Sequence, residues 1–385
     1  MNGPLLSAAE VTAATEYIQN KLFYPATGLL YDRPVTNLAH FPTPAECAAN
    51  DPNPCGYGGG MEDCMISGAT MIEALLLQWE KEGALSPLLR PLTEGLLRCA
   101  ESGKDGFLPR GLCPADGKSH YMDSSRDQYT MFLYALWRYF ETPLCTDEEK
   151  TRIRAAVLRL AQRAKKNVTP DNGYDLLRED GGRTLATTMW GPTLGNHEVH
   201  RLPAFYAAAY LVSGKEEWRK EYLTLREEAM ARALPMRERY YHLYTLQQMQ
   251  ASLLLCKAAD PEWTAKYDAL MAAVAAYAEA QVDKVAEKIA ARDNFNQIHG
   301  DFRTFPLREQ KAPNEFGVYQ NRDPGDTDSF YLLQDAPNIL ITCRMAGLTP
   351  SEGALRLCRE AFRRIDFATH HRATPIHFLN AHYNC

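Results

Sequence analysis

Residues 128–167 read QYTMFLYALWRYFETPLCTDEEKTRIRAAVLRLAQRAKKN, and this stretch decides the fold. Its first part, 128–140, is apolar on nearly every side at helical spacing, which predicts a helix that is buried all round. Its last part, 146–167, has one apolar stripe and one charged face, which predicts a half-buried helix. The turn between them contains a proline and ends at a threonine, as is typical where one helix stops and another starts. We therefore expect a hairpin of one inner and one outer helix.

The same alternation runs along most of the chain, and strand signals are nearly absent. The further segments predicted as inner helices are 64–79, 201–214, 240–258, 329–347 and 375–384. The further segments predicted as outer helices are 8–23, 86–102, 215–234, 261–288 and 351–367. Six buried helices that alternate with six half-buried ones predict an all-α fold, an (α/α)6 toroid that forms a single domain over residues 1–385.

The connections between helices differ in length at the two ends of this predicted toroid. Those from an inner to the next outer helix are short, whereas those from an outer to an inner helix are mostly long. The long ones are 24–62, 103–123, 167–198 and 292–327, and 234–239 is the short exception. Long loops in a compact domain are usually functional, and helix N-termini favour anions and carboxylates. We therefore expect a site in a funnel where the inner helices begin.

Composition excludes several classes of partner. The chain has 385 residues, 45% hydrophobic and 23% charged, and a net charge of −6 without a basic block, so a nucleic-acid partner is not expected. No apolar run is long enough for a membrane span, so no membrane partner is expected. The N-terminus does not resemble a signal peptide, which predicts a cytoplasmic protein, or an exported one whose signal peptide is absent from this sequence. We expect a monomer or a small homo-oligomer.

Metal and cofactor sites are not expected either. The ten cysteines form no CxxC pair, which favours free buried thiols over a disulfide framework or a zinc site. His197, Glu198 and His200 form HExH, which lacks the HExxH spacing that places two histidines on one helical face. Neither a dinucleotide-binding glycine fingerprint nor a P-loop is present.

Polar residues that could carry chemistry lie at or near the predicted inner-helix N-termini. The first cluster ends the stretch CGYGGGMEDC (55–64), whose glycines suggest close approach of the backbone to a ligand. The clusters are Glu62 and Asp63; His120, Tyr121, Asp123, Arg126 and Asp127; Asn196, His197, Glu198 and His200; Tyr240 and Tyr241; and Asp323, Asp326 and Asp328. Their convergence in space follows from the fold prediction.

Each cluster also has a structural interpretation. Asp127 could form a capping box with Ser124, and Asp326 or Asp328 could be an ordinary N-cap. Glu62 and Asp63 could simply complement a helix dipole. His197 is a candidate substrate ligand or proton relay, but packing or capping would also explain it.

Aromatic residues with polar tips are frequent in the long loops. They are Tyr57, Tyr121, Trp190, Tyr240, Tyr241 and Tyr319. Aromatic faces pack against the C–H faces of sugar rings, so these residues predict a lining for a polar small-molecule cleft. A chain with 20 tyrosines would nevertheless place some of them in loops without any function.

The alternating helices and loop clusters together resemble the six-hairpin glycosidase superfamily. The stretches PNPCGYGGGMEDC (52–64) and DGKSHYMDSSRDQYTM (116–131) look like motifs of an uncharacterised bacterial branch of it. In related unsaturated glucuronyl hydrolases, aspartates stand at the start of two successive inner helices, and one of them is the general acid and base. By position, Asp63 resembles the first, and Asp123 or Asp127 resembles the second.

The resemblance implies a glycoside hydrolase, with uronic-acid-containing or unsaturated oligosaccharides as candidate substrates. One carboxyl group, Asp63 or Asp127, would protonate the leaving oxygen, and the other would act as base or orienting partner. His197, Arg126 and the aromatic residues would bind the substrate. A polysaccharide lyase or sugar epimerase with His or Tyr groups, and a toroid that binds glycans without catalysis, remain open alternatives.

Overall fold

The computed structural model describes residues 4–51, 53, 55–56, 58–183, 186–234, 242–293, 295, 301–304, 307–310, 318–321 and 329–385, with only the backbone at 307–310, 318–321 and 329–330. The helices are α1 (Ala8–Tyr17), α2 (Pro44–Ala49), α3 (Cys64–Glu82), α4 (Leu89–Ser102), α5 (Arg126–Phe140), α6 (Asp147–Asn167), α7 (Arg201–Ser213), α8 (Glu216–Ala233), α9 (Tyr244–Ala259), α10 (Thr264–Glu279), α11 (Val282–Ala290), α12 (Ser329–Met345), α13 (Glu352–Phe362) and α14 (Pro375–Asn384). The described part of the chain is mostly helical, which confirms the predicted all-α class.

The predicted inner helices contact one another in a closed series. Helix α3 packs against α5, α5 against α7, and α7 against α9. Helix α9 packs against α12, α12 against α14, and α14 against α3. The predicted outer helices pack onto this series, for example α6 onto α5 and α7, and α13 onto α12 and α14.

The hairpin of α5 and α6 shows how the sequence determines these positions. Helix α6 starts with a capping box in which Thr146 and Glu149 each bind the backbone N–H of the other. Ile153, Val157 and Leu160 then recur at helical spacing on its buried face. Each fully buried aliphatic side chain of this kind stabilises the fold by roughly 1.5–3 kcal/mol.

Several elements differ from the prediction. Helix α1 ends at Tyr17, and a π-helical turn (Ile18–Leu22) follows before β1 (Phe23–Tyr24), which pairs with β2 (Leu29–Leu30). The predicted helix over 261–288 is broken at residues 280–281 into α10 and α11. Helix α2 and the hairpin of β3 (Leu307–Gln310) and β4 (Val318–Asn321) lie inside predicted loops.

The N-terminal halves of five inner helices are joined by polar contacts. Gln128 at the start of α5 binds Asp63 at the start of α3. Arg201 at the start of α7 contacts Asp127 of α5 and Gln248 of α9. The backbone N–H of Leu243, just before α9, binds the Asp335 carboxylate of α12. Polar side chains at the starts of α3, α5 and α7 therefore meet, and the contacts continue into α9 and α12.

Candidate functional site

Asp63 stands at the N-cap of α3, but its side chain does not cap the helix. One carboxylate oxygen, Oδ1, accepts a hydrogen bond from Gln128 Nε2 at 2.8 Å. The same oxygen lies 3.6 Å from Arg110 Nη1. The structure thus argues against a simple helix-capping role for Asp63 and directs its carboxyl group toward the neighbouring inner helix.

The pKa of Asp63 is raised from 3.8 to about 6. Burial is the largest cause, and the charges of Glu62 and Asp127 raise the pKa further, while Arg110 and Gln128 oppose them. The side chain nevertheless keeps 32% of its exposure, so the group is reachable from solvent. A carboxyl group that is accessible and partly protonated near neutral pH can act as a general acid.

Asp127 lies in the first turn of α5 and is 27% exposed. Its Oδ1 is 3.4 Å from Arg201 Nη2. Because its charge raises the pKa of Asp63, the two carboxyl groups lie within electrostatic reach of each other. Asp63 and Asp127 thus lie at the N-termini of two inner helices that pack against each other.

The capping box predicted for Ser124 and Asp127 is wrong. The N-cap of α5 is Ser125, which makes no side-chain capping bond. The residue three positions later, Gln128, could complete a box with Ser125, but its amide instead binds Asp63 and the Glu62 carbonyl. The start of α5 thus uses its polar side chains to contact the neighbouring helix.

Arg201 is a site residue that sequence reasoning missed. Its side chain is 1% exposed, and Nη2 donates to Gln248 Oε1 at 2.7 Å. Within the described part of the chain, neither Nε nor Nη1 has a hydrogen-bond partner. Burial lowers the pKa of Arg201, although Asp127 and Glu198 oppose this effect. A buried guanidinium with open donors beside a carboxylate could hold an anionic or polar group of a ligand.

Asp123 does not join the pair. Its side chain is 1% exposed, and its two oxygens accept hydrogen bonds from the Cys55 thiol at 2.9 Å and from the Ser124 N–H at 2.8 Å. A carboxylate that is closed off in this way orders the segment before α5. This placement argues against the catalytic role predicted for Asp123.

Arg126, His197 and Glu198 form a second polar group beside the pair. Arg126 bonds to the Glu198 carboxylate and, through Nη1, to the Thr188 carbonyl at 3.0 Å. Burial would raise the pKa of Glu198, but Arg126, His197 and Arg201 outweigh it and lower the pKa. Burial lowers the pKa of His197 to about 4, so its imidazole is neutral at neutral pH. Arg126 begins α5, and His197 and Glu198 lie just before α7.

Other predicted ligand residues are engaged within the protein. His120 Nε2 lies 3.1 Å from Glu179 Oε2, and the buried Tyr121 donates its hydroxyl to the Asp51 carbonyl. Arg232, at the end of α8, stacks over Trp190, and its carbonyl accepts a hydrogen bond from Asn196. These contacts of His120, Tyr121, Trp190 and Asn196 are thus made with other residues of the protein.

Glu62 lies directly beside Asp63 and is 8% exposed. Its Oε1 accepts from the Gly58 N–H at 3.2 Å, while its buried Oε2 has no hydrogen-bond partner in the described part of the chain.

The nearby Gly56 is explained by an internal contact. At Gly56, φ is +67°, and a Cβ would lie 2.3 Å from the Tyr121 ring. The predicted approach of a ligand is therefore not needed to explain Gly56.

Some predicted residues lie outside the described residues. These are Tyr57, Tyr240, Tyr241, Asp323, Asp326 and Asp328, and only the backbone is described at Tyr319.

Metal-ligating groups do not cluster in the described part of the chain. No set of three or more His, Cys, Asp or Glu side chains there is arranged to hold a metal ion. His200, of the HExH stretch, is 1% exposed and packs edge-on against Tyr267 at 6.0 Å. All ten cysteines are free thiols, and nine of them are buried.

Sequence reasoning missed Asp32, Arg110, Gln128, Arg201 and Gln248. The sequence did contain a signal for Arg201. It is a charged residue at the start of an otherwise apolar inner helix, and a buried charge needs an opposite charge or hydrogen-bond partners nearby. Asp32 and Arg110 lie in long loops without periodicity, so nothing in the sequence points to them.

Comparisons with known proteins do not assign this chain. No protein-family model matches it, and no curated protein is similar to it in sequence. Across the described residues, we find no helix with the length and apolar character needed to cross a membrane.

Proposed function

We propose that this protein is a carbohydrate-active enzyme, a glycoside hydrolase that uses Asp63 and Asp127 as paired carboxyl groups. The closed series of inner-helix contacts supports an (α/α)6 toroid over residues 1–385. Together with the motifs at 52–64 and 116–131, it also supports a place in the six-hairpin glycosidase superfamily. The substrate is an oligosaccharide or glycoside.

The observation that carries the proposal is the pair of accessible carboxyl groups, Asp63 and Asp127, at the starts of two inner helices that pack against each other. Asp63, with a pKa of about 6, donates its proton to the glycosidic oxygen as the bond breaks. Asp127, beside the Arg201 guanidinium, activates water or attacks the sugar as the carboxylate. Gln128 and Arg110 orient the Asp63 carboxyl group for this transfer.

Arg201 supports a substrate with an acidic sugar, such as a uronide. Its Nε and Nη1 are buried and lack partners among the described residues, so an unligated guanidinium is left unsatisfied. A sugar carboxylate accepts charge-assisted hydrogen bonds from a guanidinium N–H, and either of these donors could provide one. Its position beside Asp127 would place the acidic sugar next to the bond that is cleaved.

The roles of Asp63 and Asp127 can be separated by comparing substrates that have poor and good leaving groups. An acid is needed most for poor leaving groups, so Asp63→Asn should lose far more activity on natural oligosaccharides than on activated aryl glycosides. Asp127→Asn should lose activity on both kinds of substrate. Asp171→Asn, at an exposed position, is the matched control and should keep activity. Equal losses for Asp63→Asn on both substrates would contradict the assignment of the acid.

A lyase or epimerase is the second candidate, and neutral His197 favours it. Its imidazole is uncharged at neutral pH, which is the form that a general base needs, and Arg201 could neutralise a substrate carboxylate. A lyase creates an absorbing C4=C5 double bond, an unsaturated-uronide hydrolase removes it, and an ordinary glycosidase does neither. A binding protein would show no turnover, and both Asn variants would still bind glycans.

A further inference from the structure

Asp63, the N-cap residue of α3, has an unusual backbone conformation for this position. N-cap residues normally adopt the β region, and their side-chain oxygen accepts a hydrogen bond from the N–H of the second or third helical residue. Asp63 instead has φ −128° and ψ 27°, and its side chain makes no capping bond. Something outside the helix must therefore hold this conformation.

Asp32 is the residue that binds the Asp63 backbone. Its Oδ2 accepts a hydrogen bond from the Asp63 N–H at 2.7 Å, and its own N–H donates to the Gly60 carbonyl at 3.0 Å. In an ordinary capping box, a Glu or Gln at the third helical position would bind this N–H. That position is Ile66, which has no acceptor, so Asp32 provides it from a distant segment.

We propose that Asp32 is a positioning residue for Asp63. By binding the Asp63 N–H, it keeps the Asp63 carboxyl group turned away from the α3 N-terminus and toward Gln128 and Arg110. This inference rests on the proposed function only where it treats Asp63 as the acid. The placement of the Asp63 carboxyl group by Asp32 does not depend on any reaction.

The surroundings of Asp32 favour its neutral form, and a neutral carboxyl group still has an oxygen that can accept the hydrogen bond from the Asp63 N–H. Asp32 is 6% exposed, and burial raises its pKa well above the ordinary value. The nearby charges of Asp63 and Glu62 raise it further, while the Asp63 N–H and Arg372 oppose them. Asparagine has the shape of the protonated group and keeps an oxygen acceptor, whereas alanine has none.

The test measures the Asp63 pKa directly, by carbon-detected NMR titration of aspartate carboxyl groups in the full chain. The spectrum of Asp63→Asn identifies the Asp63 signal. In Asp32→Ala, Asp63 is free to cap α3, and hydrogen bonds from backbone N–H groups favour its charged form. We expect its pKa to fall by at least about one unit, a tenfold change in proton affinity. Asp32→Asn should restore the pKa close to the wild-type value.

Two results would overturn the inference: an unchanged Asp63 pKa in folded Asp32→Ala, or an Asp63 pKa in Asp32→Asn that falls to the ordinary range. The second result decides even if Asp32→Ala does not fold. With an active substrate, Asp32→Ala should also move the basic limb of the pH–rate profile to lower pH, and Asp32→Asn should move it back. Absence of turnover in the wild type would count against the proposed function alone, because the NMR titration needs no substrate.

Discussion

The ionised carboxyl group of Asp63 should make the folded protein less stable at neutral pH, so Asp63→Asn should stabilise it. The pKa of Asp63 is raised in the folded state from 3.8 to about 6. Between these values the folded state binds more protons than the unfolded state, and stability therefore falls as the pH rises through this window. Asparagine carries no charge and removes this pH-dependent loss.

The size of the effect follows from the shift. At about 1.36 kcal/mol per pKa unit, a change from 3.8 to about 6 amounts to about 3 kcal/mol. Because the Asp63 side chain is 32% exposed, solvent screening reduces the effect, and we expect about 1.5 kcal/mol above pH ~6. The gain should shrink as the pH is lowered and vanish below about pH 4.

Urea unfolding followed by circular dichroism, repeated from about pH 4 to about pH 8, measures this difference. The exposed Asp171→Asn is the control, and its stability should follow that of the wild type at every pH. A gain from Asp63→Asn that does not depend on pH would refute the reasoning. Destabilisation at neutral pH would refute it as well.

Three further predictions concern single residues. Arg201→Gln should raise KM for an acidic glycoside at least about tenfold and change KM for a neutral glycoside much less. Equal changes in KM for the two substrates would contradict the proposal that Arg201 binds the sugar carboxylate. In a nitrogen-15 NMR titration, the His197 imidazole should become protonated with a pKa of about 4, because burial disfavours its charged form. A measured pKa near the ordinary value of 6.5 would contradict this reasoning. Gly56→Ala should lower the free energy of unfolding by about 2 kcal/mol or more, since the new Cβ meets the Tyr121 ring. Gly83→Ala also has a positive φ but meets no atom within 4 Å, so it isolates the backbone strain and should cost less.

Much of the fold is visible in the sequence, because burial repeats at helical spacing. The hairpin of α5 and α6 forms where the alternation of apolar and amphipathic segments predicts it. The break between α10 and α11 could not be foreseen, since neither Gly nor Pro marks residues 280–281. Helix α2 is too short for periodicity to reveal it within the long loop that contains it.

The candidate site is visible only in part. Asp63 and Asp127 could be found because they start predicted inner helices, and those helices turned out to be neighbours. Asp32 and Arg110 could not, because both lie in aperiodic loops and are about 30 and 50 residues away from Asp63 in the sequence. The predicted capping box at Ser124 failed since a local pattern does not reveal that Gln128 has a better partner on another helix.

Side-chain caps are present at some of the outer helices and at none of the inner helices whose N-termini are described. Among the outer helices, α4, α8 and α10 have no side-chain cap, since Leu88, Lys215 and Trp263 offer no acceptor, but α1, α6 and α13 are capped by the side chains of Ser7, Thr146 and Ser351. In contrast, α3, α5, α7, α9 and α14 have no side-chain capping bond among the described residues. The polar groups available at the first two, Asp63 and Gln128, bind each other instead. A cap contributes about 1 kcal/mol, so stability is given up at the end of the molecule where the polar side chains converge. Natural proteins break local rules of this kind mainly at functional sites, which favours a ligand at this end over a purely structural cluster.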